Sequence, residues 1–271
     1  MLNKNKFIFS IIVVSLNTKV DFLKTLKSIN KQTYKNYEIL VVDGNSSDGT
    51  KKEIIKRKKT ISKFVIEKDR GIYHAMNKGI KMSSGKWIIF MNSGDLFYKK
   101  NVLYNFLSEN VKNCDIVYGD TLVSAKNLRY VVNSKSFEHK TLLMPFCHQS
   151  VFVKSNILKK RNFSLIYRFS SDFDFFYYCY LSRKKFQKID YIISKVKSGG
   201  FADKNRQMVF NENLIIIKKK GNKSLLYLLY LKKISQYLKD IIKFIFPSFI
   251  QELIFKIKYK KCFNKLVLIT D

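Results

Sequence analysis

Four short apolar runs in this 271-residue chain each lead into an aspartate. Residues 37–42 lead into Asp43 and residues 64–68 into Asp69. Residues 87–91 lead through Asn92, Ser93 and Gly94 into Asp95, and residues 115–119 into Asp120. Apolar runs of this length, bounded by turn residues, read as buried strands. In an open parallel sheet, ligands bind beyond the carboxyl ends of the strands. Carboxylates placed there face a site rather than a core. A carboxylate accepts hydrogen bonds without donating any, and hard divalent cations take oxygen ligands. Acidic residues number only 20 against 52 basic ones, which makes their gathering after strands informative.

The elements that would hold these residues alternate. Residues 7–15 form a continuous apolar run, as expected of a strand covered on both faces. Phe22, Leu23, Leu26 and Ile29 then follow at helical spacing. After the second strand comes the turn-rich loop 43–49. Thr50 and Glu53 have the spacing of a capping box and open a second helix to about Lys58. A third strand spans 64–67. Residues 71–82 suit a helix that Gly85 would close, and a fourth strand spans 87–91. Such alternation predicts an α/β fold with a parallel sheet and right-handed crossovers. Residues 111–154 read as strand-rich and mixed, 172–182 as an aromatic helix, and 205–220 as another helix.

Composition narrows the function classes. A chain that is 46% hydrophobic, with 10 glycines and 2 prolines, suits one large domain or a domain with an appendage. The formal charge of +32 raises the possibility of a nucleic-acid binder. Only seven residues are arginine, however, and base-edge readout favours arginine forks. Lysine supplies the rest, which fits general attraction to anions or a biased overall composition. Cys114, Cys147, Cys179 and Cys262 show neither a C-x-x-C pair nor zinc spacing, so reduced thiols in a cytoplasm are expected. Lys4 and Lys6 before residues 7–16 imitate a secretion signal, but Asn17-Thr18-Lys19 offers no small-residue cleavage site. No run reaches the ~18 apolar residues of a spanning helix.

Taken in order, several words of the chain resemble the family 2 glycosyltransferases of the GT-A fold. They are residues 10–17 (SIIVVSLN), 32–39 (QTYKNYEI), 41–50 (VVDGNSSDGT), 69–79 (DRGIYHAMNKG), 92–95 (NSGD) and 171–174 (SDFD). The nearest flavour is that of bacterial enzymes building colanic acid, O-antigen or capsule. The resemblance covers about 7–220 and implies a Rossmann-like, mostly parallel mixed sheet. Within residues 1–220, a nucleotide-sugar half would span about 7–120 and an acceptor half about 121–220. Residues 221–271 would form a basic amphipathic helical extension.

The resemblance also implies roles. Ser15, Asp43, Asp69, Arg70, Asn77 and His148 would surround the nucleotide sugar. Asp43 would accept from base or ribose, although many relatives carry two consecutive aspartates where this chain has Asp43-Gly44. Its alternative is a turn aspartate binding its own loop. Asp95 would ligate Mn²⁺ or Mg²⁺, the last acid of an element that here has Gly94 where an acid is common. Asp172 would be the catalytic base, taking the acceptor's proton as its oxygen attacks the anomeric carbon opposite the departing diphosphate. Its alternative is a helix N-cap. Asp174, two residues on, would be structural or a cap. His74 stands where relatives often have an acid and receives no role.

The expected function is inverting sugar transfer from a nucleotide-diphospho-sugar to a growing, lipid-linked surface polysaccharide. The rival readings are a catalytically inactive partner protein of the same fold and a nucleic-acid-binding module. From residue 218 onward, 13 lysines face 3 acids, and Leu225, Leu228, Leu229, Ile234, Leu238, Ile241, Ile242 and Ile245 make a helical stripe. A basic amphipathic helix of this kind can lie on an anionic bilayer. That would place the protein in the cytoplasm, peripheral on the inner face of the plasma membrane. The other reading packs the helix on the catalytic domain.

Overall fold

The structure, a computed structural model, describes residues 7–125, 128–136, 144–220 and, beyond those, 226–228, 230, 231, 234, 235, 237, 238 and 241. Half of the stripe expected in the C-terminal extension, Leu225, Leu229, Ile242 and Ile245, therefore lies outside the described residues.

The first half alternates as the apolar pattern requires: β1 (Phe7–Ser15), α1 (Lys19–Asn30), β2 (Tyr37–Asp43), α2 (Thr50–Lys56), β3 (Lys63–Ile66), α3 (Ile72–Met82) and β4 (Gly85–Phe90). The second half holds β5 (Leu96–Phe97), α4 (Val102–Ser108), β6 (Ile116–Ala125), β7 (Leu128–Val132), a 3₁₀ turn at His148–Ser150, β8 (Val151–Lys154) and α5 (Ser155–Lys160). It ends with α6 (Ser171–Leu181), β9 (Phe186–Lys197), α7 (Phe201–Lys204) and α8 (Arg206–Lys219). One sheet runs in the order β3-β2-β1-β4-β8-β6-β9-β5, with β7 on β6. Its β3-β2-β1-β4 half is parallel, β8 enters antiparallel to both β4 and β6, and β9 is again parallel to β6.

Side chains on a strand alternate between faces, and the core divides accordingly. Phe9, Ile11, Val13, Trp87 and Ile89 point to the face covered by Phe22, Leu26 and Ile29 of α1 and Phe106 of α4. Ile12, Ile88 and Phe90 point to the other, where α3, α6 and α8 contribute Met76, Phe173, Phe176, Ile216 and Ile217. Helix α6 is aromatic nearly all round because it is buried, with Phe173, Phe175, Phe176 and Tyr177 all at most 2% exposed.

Three local expectations change. Asp120 does not end a strand: β6 runs through it, and its carboxylate accepts the Ser134 N–H at 2.7 Å and lies 4.0 Å from Lys188. Gly85 is not a helix stop but the first residue of β4; a Cβ there would sit 2.6 Å from Ser10 N, so glycine permits close strand packing. Nor do Thr50 and Glu53 form a capping box. Asp48 accepts from both the Thr50 N–H and hydroxyl, while Glu53 pairs with Arg57.

Candidate active site

The carboxyl ends of β1 to β4 lie along one edge, because the register pairs Ser15 with Asp43 and Asp43 with Ile66. Asp43 is fully buried there, and both its oxygens are taken by Ser46, from the backbone N–H at 2.8 Å and the hydroxyl at 2.6 Å. It therefore shapes the 43–49 loop as an Asx turn. Ser15 joins this layer through contacts of its hydroxyl with Thr18 at 3.0 Å and Ser93 at 3.3 Å.

Asp69 follows β3 and is clamped on one oxygen only. Oδ1 lies 2.6 Å from Lys78 Nζ and 3.1 Å from His74 Nδ1, whereas the buried Oδ2 has no partner. That oxygen faces Gly44, where an added Cβ would come within 3.5 Å of it. His74, which carried no assigned role, thus closes the loop ahead of α3; its ring nitrogen also lies 3.3 Å from the Arg70 N–H. The Arg70 side chain is exposed. Asn77 bonds Phe163 through both ends of its amide, to the carbonyl at 2.8 Å and the N–H at 2.9 Å. With His74, Lys78 and Lys159 it lines a basic cavity of about 500 Å³ whose lining does not include Asp95 or Asp172.

The charged centre lies between the two halves of the sheet. Asp95 ends the tight turn after β4, with its own N–H donating to the Asn92 carbonyl at 2.8 Å. It is buried, and burial pushes its carboxyl up to about 7; the His148 charge and a Gln149 hydrogen bond pull the other way. His148 stands in the 3₁₀ turn before β8, with Nδ1 3.3 Å from Asp172 Oδ2. Asp172 sits in the first turn of α6, where its Oδ1 also accepts from the Tyr73 hydroxyl at 2.8 Å and the Phe173 N–H at 2.9 Å. Burial alone would raise Asp172, but the His148 hydrogen bond and charge, together with Tyr73, outweigh it and hold the carboxyl below its usual range. Burial likewise works against charge on His148, yet its contact with Asp172 and the Asp95 charge leave it raised. Asp172 and His148 thus form a pair, and the Asp95 charge also acts on His148.

Residues 95, 148 and 172 come from three distant stretches and meet because β8 inserts between β4 and β6. Asp174 turns away and pairs with Arg161 at 2.8 Å. Tyr73 and Gln149 belong to the centre but were not singled out from sequence. Tyr73 falls within the 69–79 stretch, but only the folded chain brings its hydroxyl to a residue 99 positions away. Several buried polar atoms here lack partners: Asp69 Oδ2, Asn92 Oδ1, His148 Nε2 and Ser171 Oγ. Native interiors seldom leave such atoms unsatisfied without a role for them.

Comparisons with known proteins agree with this architecture. The family model described as Glycosyl transferase family 2 matches residues 10–190. A PGL/p-HBAD biosynthesis glycosyltransferase of Mycobacterium tuberculosis is 30% identical over 181 residues, which cover 64% of this chain and 69% of that protein. Staphylococcus aureus TarS, residues 1–349 in complex with UDP, superposes with a TM-score of 0.64 at 18% identity, over 90% of this chain and 76% of that one. The mannosyltransferase PcManGT of Pyrobaculum calidifontis, in complex with GDP-Man and Mn²⁺, superposes with a TM-score of 0.60 at 15% identity, over 83% and 69% of the two chains.

Proposed function

This chain belongs to glycosyl transferase family 2, and we propose that it transfers a sugar, with inversion, from a nucleotide-diphospho-sugar to a hydroxyl of a lipid-linked surface glycan. The observation that carries this reading is the array Asp95, His148, Asp172 and Tyr73 at the edge where parallel strands end. TarS with UDP and PcManGT with GDP-Man support a nucleotide-sugar donor on this fold.

In the proposed step the acceptor hydroxyl attacks the anomeric carbon while the bond to the diphosphate breaks on the opposite side. Asp172 takes the hydroxyl proton. Its Oδ1 is occupied by Tyr73 and Phe173, and its Oδ2 by His148 alone, so an Oδ2 lone pair remains for that proton. The ion pair with His148 keeps Asp172 ionised and ready to accept. A base held low in pKa accepts late, as the attacking oxygen bonds to carbon and becomes acidic. The four residues hold this geometry before substrate arrives, as preorganised catalysis requires.

Among the described residues no cluster of three His, Cys, Asp or Glu forms a metal site. The single Asp95 is nonetheless compatible with Mg²⁺ or Mn²⁺, since such ions commonly use one or two carboxylates together with substrate phosphates and water. Its desolvated carboxyl and the unpartnered Asn92 Oδ1 fit a region that receives a cation, and the unpartnered His148 Nε2 is free to donate to a polar guest. Bound there, the ion would neutralise the departing diphosphate. The inactive-partner reading would require this charged array to have no chemical use.

Membrane contact is the second part of the proposal. In the extension, Tyr227, Tyr230, Leu231, Ile234, Tyr237, Leu238 and Ile241 have helical backbone and exposed side chains. Apolar exposure beside the lysines suits an anionic bilayer, where a lipid-linked acceptor would reside. Among the described residues no helix is long and apolar enough to cross a membrane.

The test is a transfer or donor-hydrolysis assay. Asp95→Ala should lose divalent-dependent donor binding, and Asp172→Asn should bind donor but turn over at least about 100-fold more slowly, the scale of one general base. Full activity in both variants would refute the site. Separately, a chain ending at Lys220 should stop sedimenting with anionic vesicles; continued sedimentation would move the membrane contact elsewhere.

A further inference from the structure

We propose that Glu212, on α8, is a positioning residue for Asp172, which makes α8 part of the catalytic apparatus rather than packing alone. The proposal rests on the reading of Asp172 as the base. Three consecutive backbone N–H groups ahead of α6 converge on this one side chain: Arg168 on Oε1 at 2.9 Å, and Phe169 and Ser170 on Oε2 at 2.8 and 2.9 Å. Hydrogen bonds to an ionised acceptor are short and strong.

The local sequence explains why a remote residue is needed. In a capping box, the third residue of the helix is a Glu or Gln that reaches back to the N-cap N–H. Here that position is Phe173, which has no acceptor. Ser170 occupies the N-cap and makes no side-chain cap; its hydroxyl instead bonds the Val209 carbonyl of α8 at 3.1 Å. Glu212 supplies from α8 what the sequence of α6 lacks. Asp172 lies two residues beyond the clamp. The same loop is held from the opposite side by α3, since Tyr73 Oη lies 3.1 Å from the Phe169 carbonyl oxygen and 2.8 Å from Asp172 Oδ1. Phe169 is further stacked on Phe201, with ring centroids 5.2 Å apart.

Docking of α8 does not depend on the clamp, because Ile216 and Ile217 are fully buried in the core beside α6. Loss of the carboxylate should therefore loosen the 168–170 loop and the start of α6 while the fold persists. A small displacement of a catalytic group can cost as much as 10²-fold in rate.

The experiment uses the full chain and the nucleotide sugar that stabilises it most among UDP-glucose, UDP-galactose, UDP-GlcNAc and GDP-mannose with Mn²⁺. Donor hydrolysis is measured for the parent, Glu212→Gln, Glu212→Ala, Asp172→Asn and the Asp172→Asn/Glu212→Gln pair. Glu212→Gln keeps the shape but turns an amide NH₂ toward N–H donors; kcat should fall about tenfold or more, with donor KM within about twofold. Glu212→Ala should fall further. The pair should be no slower than Asp172→Asn alone, since groups acting through one another are not additive. Parent-like kcat in Glu212→Gln, a rise in KM alone, or a fully additive pair would overturn the positioning role. Full activity in Asp172→Asn would instead overturn the assignment of the base. If Glu212→Ala does not fold, Glu212→Gln and the pair still decide.

Discussion

Asp95→Asn is expected to make the metal-free protein more stable at pH 8 while abolishing its response to a divalent cation. Asp95 is buried, and its carboxyl rises from an ordinary 3.8 to about 7. At 1.36 kcal/mol per pH unit, that rise sets a ceiling of about 4 kcal/mol on the cost of carrying this charge at pH 8. A buried amide carries its own desolvation cost of about 1–3 kcal/mol, which at the middle of that range leaves a gain of at most about 2 kcal/mol for asparagine. For a chain of this size that corresponds to roughly 4–8 °C in Tm. The sign follows from linkage: a raised carboxyl means that the folded state binds more protons than the unfolded one between pH 3.8 and about 7. Its cost therefore grows across that window and levels off above it. The advantage of asparagine should shrink below pH 7 and disappear by about pH 5. Thermal melts in EDTA at pH 5, 6, 7 and 8 measure it. Adding Mn²⁺ with UDP should raise the Tm of the parent and leave the variant unmoved. A variant less stable than the parent at pH 8, or a gap that does not vary with pH, would refute the reasoning.

Three further outcomes are expected. Tyr73→Phe removes the hydroxyl 2.8 Å from Asp172; loss of a hydrogen bond to a charged group is worth about 1.5–3 kcal/mol, so kcat should drop roughly 10- to 100-fold with donor binding retained, as steady-state kinetics and donor titration would show. The Asp172–His148 pair has a stability window: the lowered Asp172 contributes above its unfolded value and loses this as pH falls through its folded one, while the raised His148 contributes below 6.5 and loses this as pH rises through its folded value. His148→Gln should therefore lower Tm most between about pH 4 and 6.5, with the deficit narrowing in alkali; a deficit that widens in alkali would contradict the pairing. Gly85→Ala places a methyl 2.6 Å from Ser10 N and 2.7 Å from Phe9 C, backbone atoms that cannot swing aside. Overpacking of this kind should cost at least about 1–3 kcal/mol, readable in urea denaturation.

Much of the architecture was legible because the signals were local. The buried parallel strands are short apolar runs, and the helices between them carry apolar residues at helical spacing, so β1 to β4 and α1 to α3 fall close to where periodicity puts them. The failures mark where a neighbour decides. Asp120 reads as the end of a strand, but the Ser134 N–H and Lys188 satisfy it within one. Gly85 reads as a helix stop, but the close approach of β1 claims it. For Asp43 the sequence offers both a substrate contact and a turn aspartate, and only the folded loop shows Ser46, three residues on, donating to both its oxygens.

The amino-acid order alone determined the family, the alternating α/β plan and the aspartates worth watching, because motif words and hydrophobic periods are written in adjacent residues. Only the tertiary structure decided which carboxylate is desolvated, which is held ionised, and by what. Those properties depend on burial and on charges a few ångströms away. Asp95, His148, Asp172 and Tyr73 acquire them from elements that meet only after β8 inserts into the sheet and α6 packs beside α3.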